Sequence, residues 1–471
     1  MTTYILGGGP AGLAVAHGLC EEGGGDFVLV ERGDELGGLA RTVEWPGHGH
    51  HDLGPHKLFT LDEALWSRVE ALLPADGWLV REKVSRIFLH GHYLPYPPSP
   101  FSLVKVFGIR SFAHLTATYG WARLRCLLSA DHARTFEEDL VRRIGGGLYR
   151  ALFEPIARKL WGDPARLDAK LSRARVQTPS VTEVIAHVLG RRKKSEFEAL
   201  TFRYPVGGLQ RLWDAVRKAT EGHGRILLRH EVRRIEMRDG AVRAIECRHL
   251  GEDKAVTLEV GEEDFVVSTV PMGRLADFLG EALPRELREG IRRVLVLNDL
   301  ILVFLKVAPK SLLDESWIFV PDPEVVFHRI SEQESFDPEM ATDGSIVCCE
   351  IMSNEGRPLM RESDDELVEQ VRRGLDRMGL GEARVVDQRV IRLPKTYPVY
   401  RPGFEEDLDR ILDRLDEIRN LRTIGRQGAF HYIGSLDAMD IGYGIARWLT
   451  GGAGRPWGEE RERTRHYPVL D

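Results

Sequence analysis

The stretch GHGHHDLGPHKLF, residues 47–59, brings His48, His50, His51, Asp52 and His56 together within ten positions. Imidazole nitrogens and a carboxylate at this density form a donor set that zinc or iron accepts, so metal binding is the first chemistry to weigh. Whether it applies depends on what the preceding residues build.

Those residues read TYILGGGPAGLAVAHGLCEEGGGDFVLVERGDELGGLAR. A short apolar run leads into Gly7, Gly9 and Gly12 in G-x-G-x-x-G order, followed by a helical pattern and FVLVE. Strand, glycine turn, helix, strand and acid is the context in which such glycines bind a dinucleotide. One glycine makes the turn, one lets backbone approach a pyrophosphate, and one lets helix and strand pack closely. The helix N-terminus then offers unpaired N–H groups to the phosphates. Glu31 ends the second strand, where it can accept hydrogen bonds from the adenosine ribose.

Bulk properties bound the partners. At 471 residues the chain exceeds one compact core, and about 100–200 residues per domain predicts two or three. A net charge of -7 leaves no global basic footprint, so nucleic acid is not an expected partner. Cys20, Cys126, Cys247, Cys348 and Cys349 show no CxxC or zinc-ribbon spacing and read as buried thiols of a reducing compartment. MTTYILGGG lacks the basic leader and cleavage region of a signal peptide, and no apolar run reaches about 18 residues. A cytoplasmic protein with no stable membrane insertion is expected.

Downstream, ERGDELGGLART supplies Gly37, Gly38 and Arg41. It resembles the second glycine pair and arginine of the glutathione-reductase-like FAD proteins, which implies FAD, with Gly38 and Arg41 along the cofactor. HDLGPHKLF is similar to the D-x-G-x-H-x-x-F loop of the UDP-galactopyranose mutase and protoporphyrinogen-oxidase-like flavoproteins. That resemblance implies Gly54 and His56 at the flavin edge and no metal. His48, His50 and His51 then read as solvated residues of a turn, since WPGHGH has turn composition.

Further pieces follow in the family's order. The ending P-x-x-x-K-x-W-G (Pro155, Lys159, Trp161, Gly162) is similar to the stretch lining the sugar pocket in the mutases, with Lys159 as a cation and Trp161 as a stacking face. The bland alternative is Trp161 capping a core and Lys159 in solvent. LSRARVQTP offers Arg173 or Arg175, and WIFVPDPEVVFHRIS offers Trp317 and Arg329, at places where the resemblance implies diphosphate-binding arginines. LPKTYPVY adds Tyr397 and Tyr400. TIGRQGAFHYIGSLDAMDIGYGIA resembles the C-terminal FAD-binding pattern, implying cofactor contacts from Gly425, Arg426, Asp437 and Gly442. The likeness runs from residue 4 to 450. It departs at YIGSLDAMD, which lacks the arginine-tyrosine pair and acidic doublet of bacterial mutases, and in the tail RPWGEERERTRHYPVLD, which reads as a charged, mobile segment.

The expected fold is α/β: a discontinuous Rossmann-type FAD-binding domain (1–94, 202–275 and 420–450), an inserted helical substrate or cap domain (95–201), an antiparallel, partly mixed substrate-domain sheet (276–419) and the tail (451–471). Substrate should bind over the flavin between helices and sheet, with GRRKKSE (190–196) as a basic loop near the mouth. The resemblance implies a sugar-nucleotide mutase, in which N5 of the reduced flavin attacks the anomeric carbon and forms a covalent sugar–flavin adduct. His56, Arg173 or Arg175, and Arg329 would serve that reaction, with NAD(P)H or a reductase as reductant. The alternative is an oxidoreductase of the amine oxidase or protoporphyrinogen oxidase type, acting by hydride removal. A third reading keeps the flavin as structure in a protein that binds a partner through its tail.

Overall fold

The computed structural model describes residues 1–128, 133–176, 201–308, 311–452, 454–465 and 467. GRRKKSE (190–196) lies outside the described residues.

Thr3–Leu6 pairs in parallel with Phe27–Val30 on one side and Phe265–Ser268 on the other. Gly224–Leu227 and Leu421–Thr423 complete a parallel five-stranded sheet. TYIL and FVLV are buried at every position, as strands covered on both faces must be. One cover is the first helix, Pro10–Glu21, opened by a proline in its first turn, where the missing N–H costs nothing. The closing helix, Ser435–Leu449, lies hard against it. A Cβ on Gly18 would come within 2.7 Å of the Ala446 Cβ, and one on Gly442 within 2.3 Å of the Ala11 carbonyl oxygen. Gly442, expected from the resemblance to contact the cofactor, sits mid-helix and serves close helix packing.

A second sheet has seven strands, in the order Val385–Pro398, Leu297–Val307, Ser345–Ser353, Arg329–Glu332, Trp317–Phe319, Ser85–Leu89 and His92–Pro95. Its pairs are antiparallel except Trp317–Phe319 with Ser85–Leu89, so the sheet is mixed. Residues 85–94, assigned from sequence to the cofactor unit, extend this sheet instead. Helix Asp364–Arg377, started by the Ser363/Glu366 capping box, covers one face through Leu367, Val371 and Leu375. The other face carries a hairpin, Thr42–Trp45 with Gly49–Asp52.

That hairpin holds most of the opening histidines, and they diverge. His51 is buried, its ring 3.8 Å from that of Phe304, and His48 Nε2 meets Asp387 at 2.8 Å, while His50 is exposed. His48 sits in the expected turn and His50 is solvated as expected, whereas His51 is a buried strand residue and not a solvated one. Among the described residues no group of three or more His, Cys, Asp or Glu is placed to hold a metal ion.

Burial holds the His51 imidazole down to about 4, against the usual 6.5. Below pH 6.5 the unfolded chain therefore takes up a proton that the folded chain refuses, and His51 costs stability increasingly as pH falls toward 4. The loss reaches up to about 3 kcal/mol. His51→Phe should flatten the decline in urea-unfolding free energy between neutral pH and pH 4. An unchanged slope would place that titration elsewhere.

The helical insert contains Pro100–Leu128, Phe136–Leu148, Glu154–Leu160 and Ala169–Arg175. A capping box, Thr135 with Glu138, starts the second of these. The tail departs from expectation. Its helix Trp457–Arg463 is docked, with Arg461 on Asp413 (2.5 Å) and Asp416 (2.7 Å), Arg465 on Asp409 and Arg463 on Asp440. The cysteines are free: Cys247, Cys348 and Cys349 are buried, and Cys20 and Cys126 only half-buried.

Candidate cofactor and substrate site

At the first strand's end the glycines divide their labour. A Cβ on Gly12 would lie 2.0 Å from the Gly7 carbonyl oxygen, and one on Gly7, whose φ is +106°, 2.4 Å from Thr269 Oγ1. A Cβ on Gly9 meets nothing within 4 Å, which leaves open space at the helix N-terminus of the kind a pyrophosphate fills. Glu31 accepts from the Gly8 N–H (2.7 Å) and the Gly33 N–H (2.6 Å), so its carboxylate stands at the lip of the loop with lone pairs left for ribose hydroxyls. Gly37 N–H donates to the Gly8 carbonyl at 2.8 Å, drawing Gly38 against Gly9. The Arg41 carbonyl accepts from Leu53 N–H at 3.1 Å and ties this strap to the His56 loop.

The far end of the chain closes the site. Gly425, at φ +84°, brings its backbone against Ala11 and delivers Arg426 beside the first helix. Arg426 Nη1 donates to the Ile433 carbonyl at 3.3 Å, whereas Nε and Nη2 are buried with no protein partner. Two unsatisfied nitrogens on a buried guanidinium cost several kcal/mol, on the order of a lost charge-assisted pair, unless an anion or carbonyl meets them. A flavin dinucleotide supplies both, so the residues fit FAD. Asp437 accepts from Gly434 N–H at 2.9 Å, and burial pushes its carboxyl up to about 6. Its observed work is to cap the closing helix.

Gly54 and His56 bend the chain toward the seven-stranded sheet. Asp52 roots this loop by accepting from Thr42 Oγ1 and the Tyr204 hydroxyl at 2.6 Å each. His56 Nε2 is buried without a partner, and the imidazole is held down to about 4 by burial first and by the neighbouring Arg329 and Arg426 guanidiniums second. Arg329 forks onto Glu350, with Nη2 to Oε2 at 2.9 Å and Nε to Oε1 as the second contact. Glu350 is only 1% exposed, and a Cβ on Gly54 would lie 3.6 Å from its carboxylate. Burial raises the Tyr397 phenol, the Arg426 guanidinium opposing it. Arg426 lies over the Tyr397 ring at 4.4 Å and the Tyr432 ring at 5.3 Å, and Arg175 over the Tyr432 ring at 4.2 Å. One cluster therefore runs from Arg175 through Tyr432, Arg426, Tyr397, Arg329 and Glu350 to His56. It sets three guanidiniums against one carboxylate and suits an anionic ligand.

Other expected site residues lie apart from it. Arg173 turns outward to Asp139 (3.3 Å) and the Ala133 carbonyl, and of the two arginines only Arg175 reaches the cluster. Lys159 is neither solvated nor turned to a ligand: it is buried, its Nζ donating to the Val320 (2.7 Å) and Phe327 (3.0 Å) carbonyls, and burial holds its pKa well down. Trp161 packs on Phe136 in the core. Trp317 is 4% exposed within a Phe202–Phe336 aromatic cluster. Tyr400 stacks on Phe404 at 4.0 Å and hydrogen-bonds Phe430 and Tyr432 backbone. None of these five presents a free face to a ligand at the cluster. Glu350 and Tyr432 were missed. The first had a signal, a lone carboxylate inside the apolar run SIVCCEIMS.

A family model for flavin-containing amine oxidoreductases matches residues 10–414. The chain belongs to this family. A Klebsiella pneumoniae relative described as a "Probable UDP-galactopyranose mutase" is 28% identical over 174 residues, 36% of this chain and 43% of that protein. A solved structure of a reduced UDP-galactopyranose mutase superposes with a TM-score of 0.84 at 20% identity, covering 99% of this chain and 96% of the other. Cyclohexylamine oxidase from Brevibacterium oxydans gives 0.67 at 14% identity, covering 96% and 99%. Membership of the flavin-containing amine oxidoreductases makes this a flavoenzyme with FAD as its cofactor, in line with the glycine loop and Arg426. Among its described residues no helix is long and apolar enough to cross a membrane.

Proposed function

We propose that this flavoenzyme is a sugar-nucleotide mutase, interconverting pyranose and furanose forms of a nucleoside-diphosphate sugar. The observation that carries the reading is the gathering of Arg175, Arg329 and Arg426 beside His56, around the paired rings of Tyr397 and Tyr432 (5.6 Å). Arg426 serves the flavin, and a pocket for an uncharged amine or alcohol has no use for Arg175 and Arg329 beside it. A diphosphate does, through planar charge-assisted contacts.

FAD, when bound and reduced, supplies a nucleophilic ring nitrogen for the anomeric carbon. The chain's part is to bind and orient. Arg175 and Arg329 hold the departing diphosphate, Arg329 being fixed in plane by Glu350. Neutral His56 packs at the flavin edge without adding a second full charge there. Tyr397, kept protonated, offers an O–H and an aromatic wall to the sugar. NAD(P)H or a reductase would supply the electrons that prime the cofactor.

Incubation with UDP-galactose, with and without dithionite, tests this. Ring isomerisation that requires prior reduction is the expected result. Peroxide release on a small amine or alcohol, with no isomerisation under reduction, would instead assign the family's hydride-removal chemistry.

A further inference from the structure

Residues 83–130 contain no aspartate or glutamate, in a chain that has 72 of them. The same stretch carries Lys83, Arg86, Lys105, Arg110, Arg123 and Arg125. It also holds a disproportionate share of the surface apolar groups. Among the described residues thirteen large hydrophobic side chains are exposed, and eight of them lie between Val84 and Leu128. On helix Pro100–Leu128, Phe101 is 82% exposed, Ile109 77%, Trp121 63% and Leu128 79%.

The pattern is ordered. Beyond the kink at Gly108, Arg110, His114, Ala117, Trp121, Leu124 and Leu128 are all exposed and recur at alternating steps of four and three, which places them on one helix face. Phe101, Lys105 and Ile109 are exposed around the kink. That face turns from Arg110 and His114 at its start to the exposed apolar Trp121, Leu124 and Leu128, with Lys105 and Arg125 beside it and no carboxylate of its own segment, and such a mixture of tryptophan, leucine and cations suits a helix lying in a membrane interface.

We infer that helix Pro100–Leu128 docks this protein on an anionic lipid bilayer, lying in the headgroup plane without crossing it. Charge chooses this occupant over a second copy of the chain. A two-fold contact on this face would set the same cations opposite one another with no segment carboxylate to pair them. A bilayer of acidic headgroups satisfies cations and apolar groups together. The inference does not rest on the mutase reading.

The test is flotation of the FAD-loaded protein with vesicles of phosphatidylcholine alone and of phosphatidylcholine mixed with phosphatidylglycerol. Binding to the mixed vesicles only, weakened by salt, is expected. Lys105→Gln with Arg125→Gln should lower partitioning about 25-fold, at roughly fivefold per cation. Trp121→Ser should lower it further, with flavin absorbance unchanged as the check on folding. Equal binding to both vesicle types, or none to either, overturns the inference. So does a dimer in solution that Trp121→Ser dissociates, since the face would then be a contact between copies.

Discussion

Arg329→Ala is expected to reduce turnover of a nucleoside-diphosphate sugar about a thousandfold while FAD stays bound. Truncating one partner of a buried, hydrogen-bonded charge pair at a binding site costs about 2–5 kcal/mol of binding, and each 1.36 kcal/mol lost from the transition state is tenfold in rate. Here the stranded partner is Glu350, almost fully buried and bordering the Gly54 loop. Its charge would face the diphosphate directly, so KM should rise and kcat should fall. Adding Glu350→Gln should restore part of the KM and little of kcat, because the repulsion is gone and the orienting fork still absent. Arg329→Lys keeps the charge but not the planar fork and should fall between. Steady-state kinetics on reduced enzyme read all three. Normal affinity for the nucleotide sugar in Arg329→Ala would place the diphosphate elsewhere.

The second large effect concerns the glycine loop. Gly12→Val forces a side chain into the Gly7 carbonyl, which sits 2.0 Å from the added Cβ. The obstacle is backbone and cannot rotate away, so the helix must shift off the strand, at about 3 kcal/mol or more. The purified variant should be colourless and melt lower. Gly9→Ala makes the informative contrast, because no protein atom lies within 4 Å of its Cβ. The apoprotein should melt normally, yet FAD affinity should drop at least tenfold as the methyl enters the pyrophosphate's space. Flavin absorbance after gel filtration and melting of the apo forms separate the two. A yellow, stable Gly12→Val protein would refute the geometry of the turn.

How much was legible in the sequence follows from the range of the interactions. The glycine loop, the first helix and Glu31 are local and could be read from one short stretch. His56 and Arg329 were named through family likeness, and the structure places them together, though what locks Arg329 is Glu350 on the neighbouring strand. Lys159 was misjudged because a lysine satisfied by carbonyls some 160 residues away looks, in sequence, like one that greets a ligand. Arg173 and Arg175 are two residues apart on a helix, about 200° around its axis, so only one could face the site. The tail's arginines looked solvated, yet Asp409, Asp413 and Asp416 recur at helical spacing as a ready row of partners. That row was readable. The divergence of the histidines was not, since it depends on which sheet face the hairpin covers.

The contact between Gly18 and Ala446, and the delivery of Arg426 to the first helix by Gly425, also set an order of events at the ribosome. The pyrophosphate turn is made well ahead of the guanidinium that completes its surroundings, which is translated more than four hundred residues later. At about 5–20 residues per second the early half waits on the order of half a minute for its complement. The coenzyme's surroundings are therefore complete only once the Gly425–Arg426 segment has been made, and a nascent polypeptide stalled before it would carry the glycine fingerprint without its closing guanidinium.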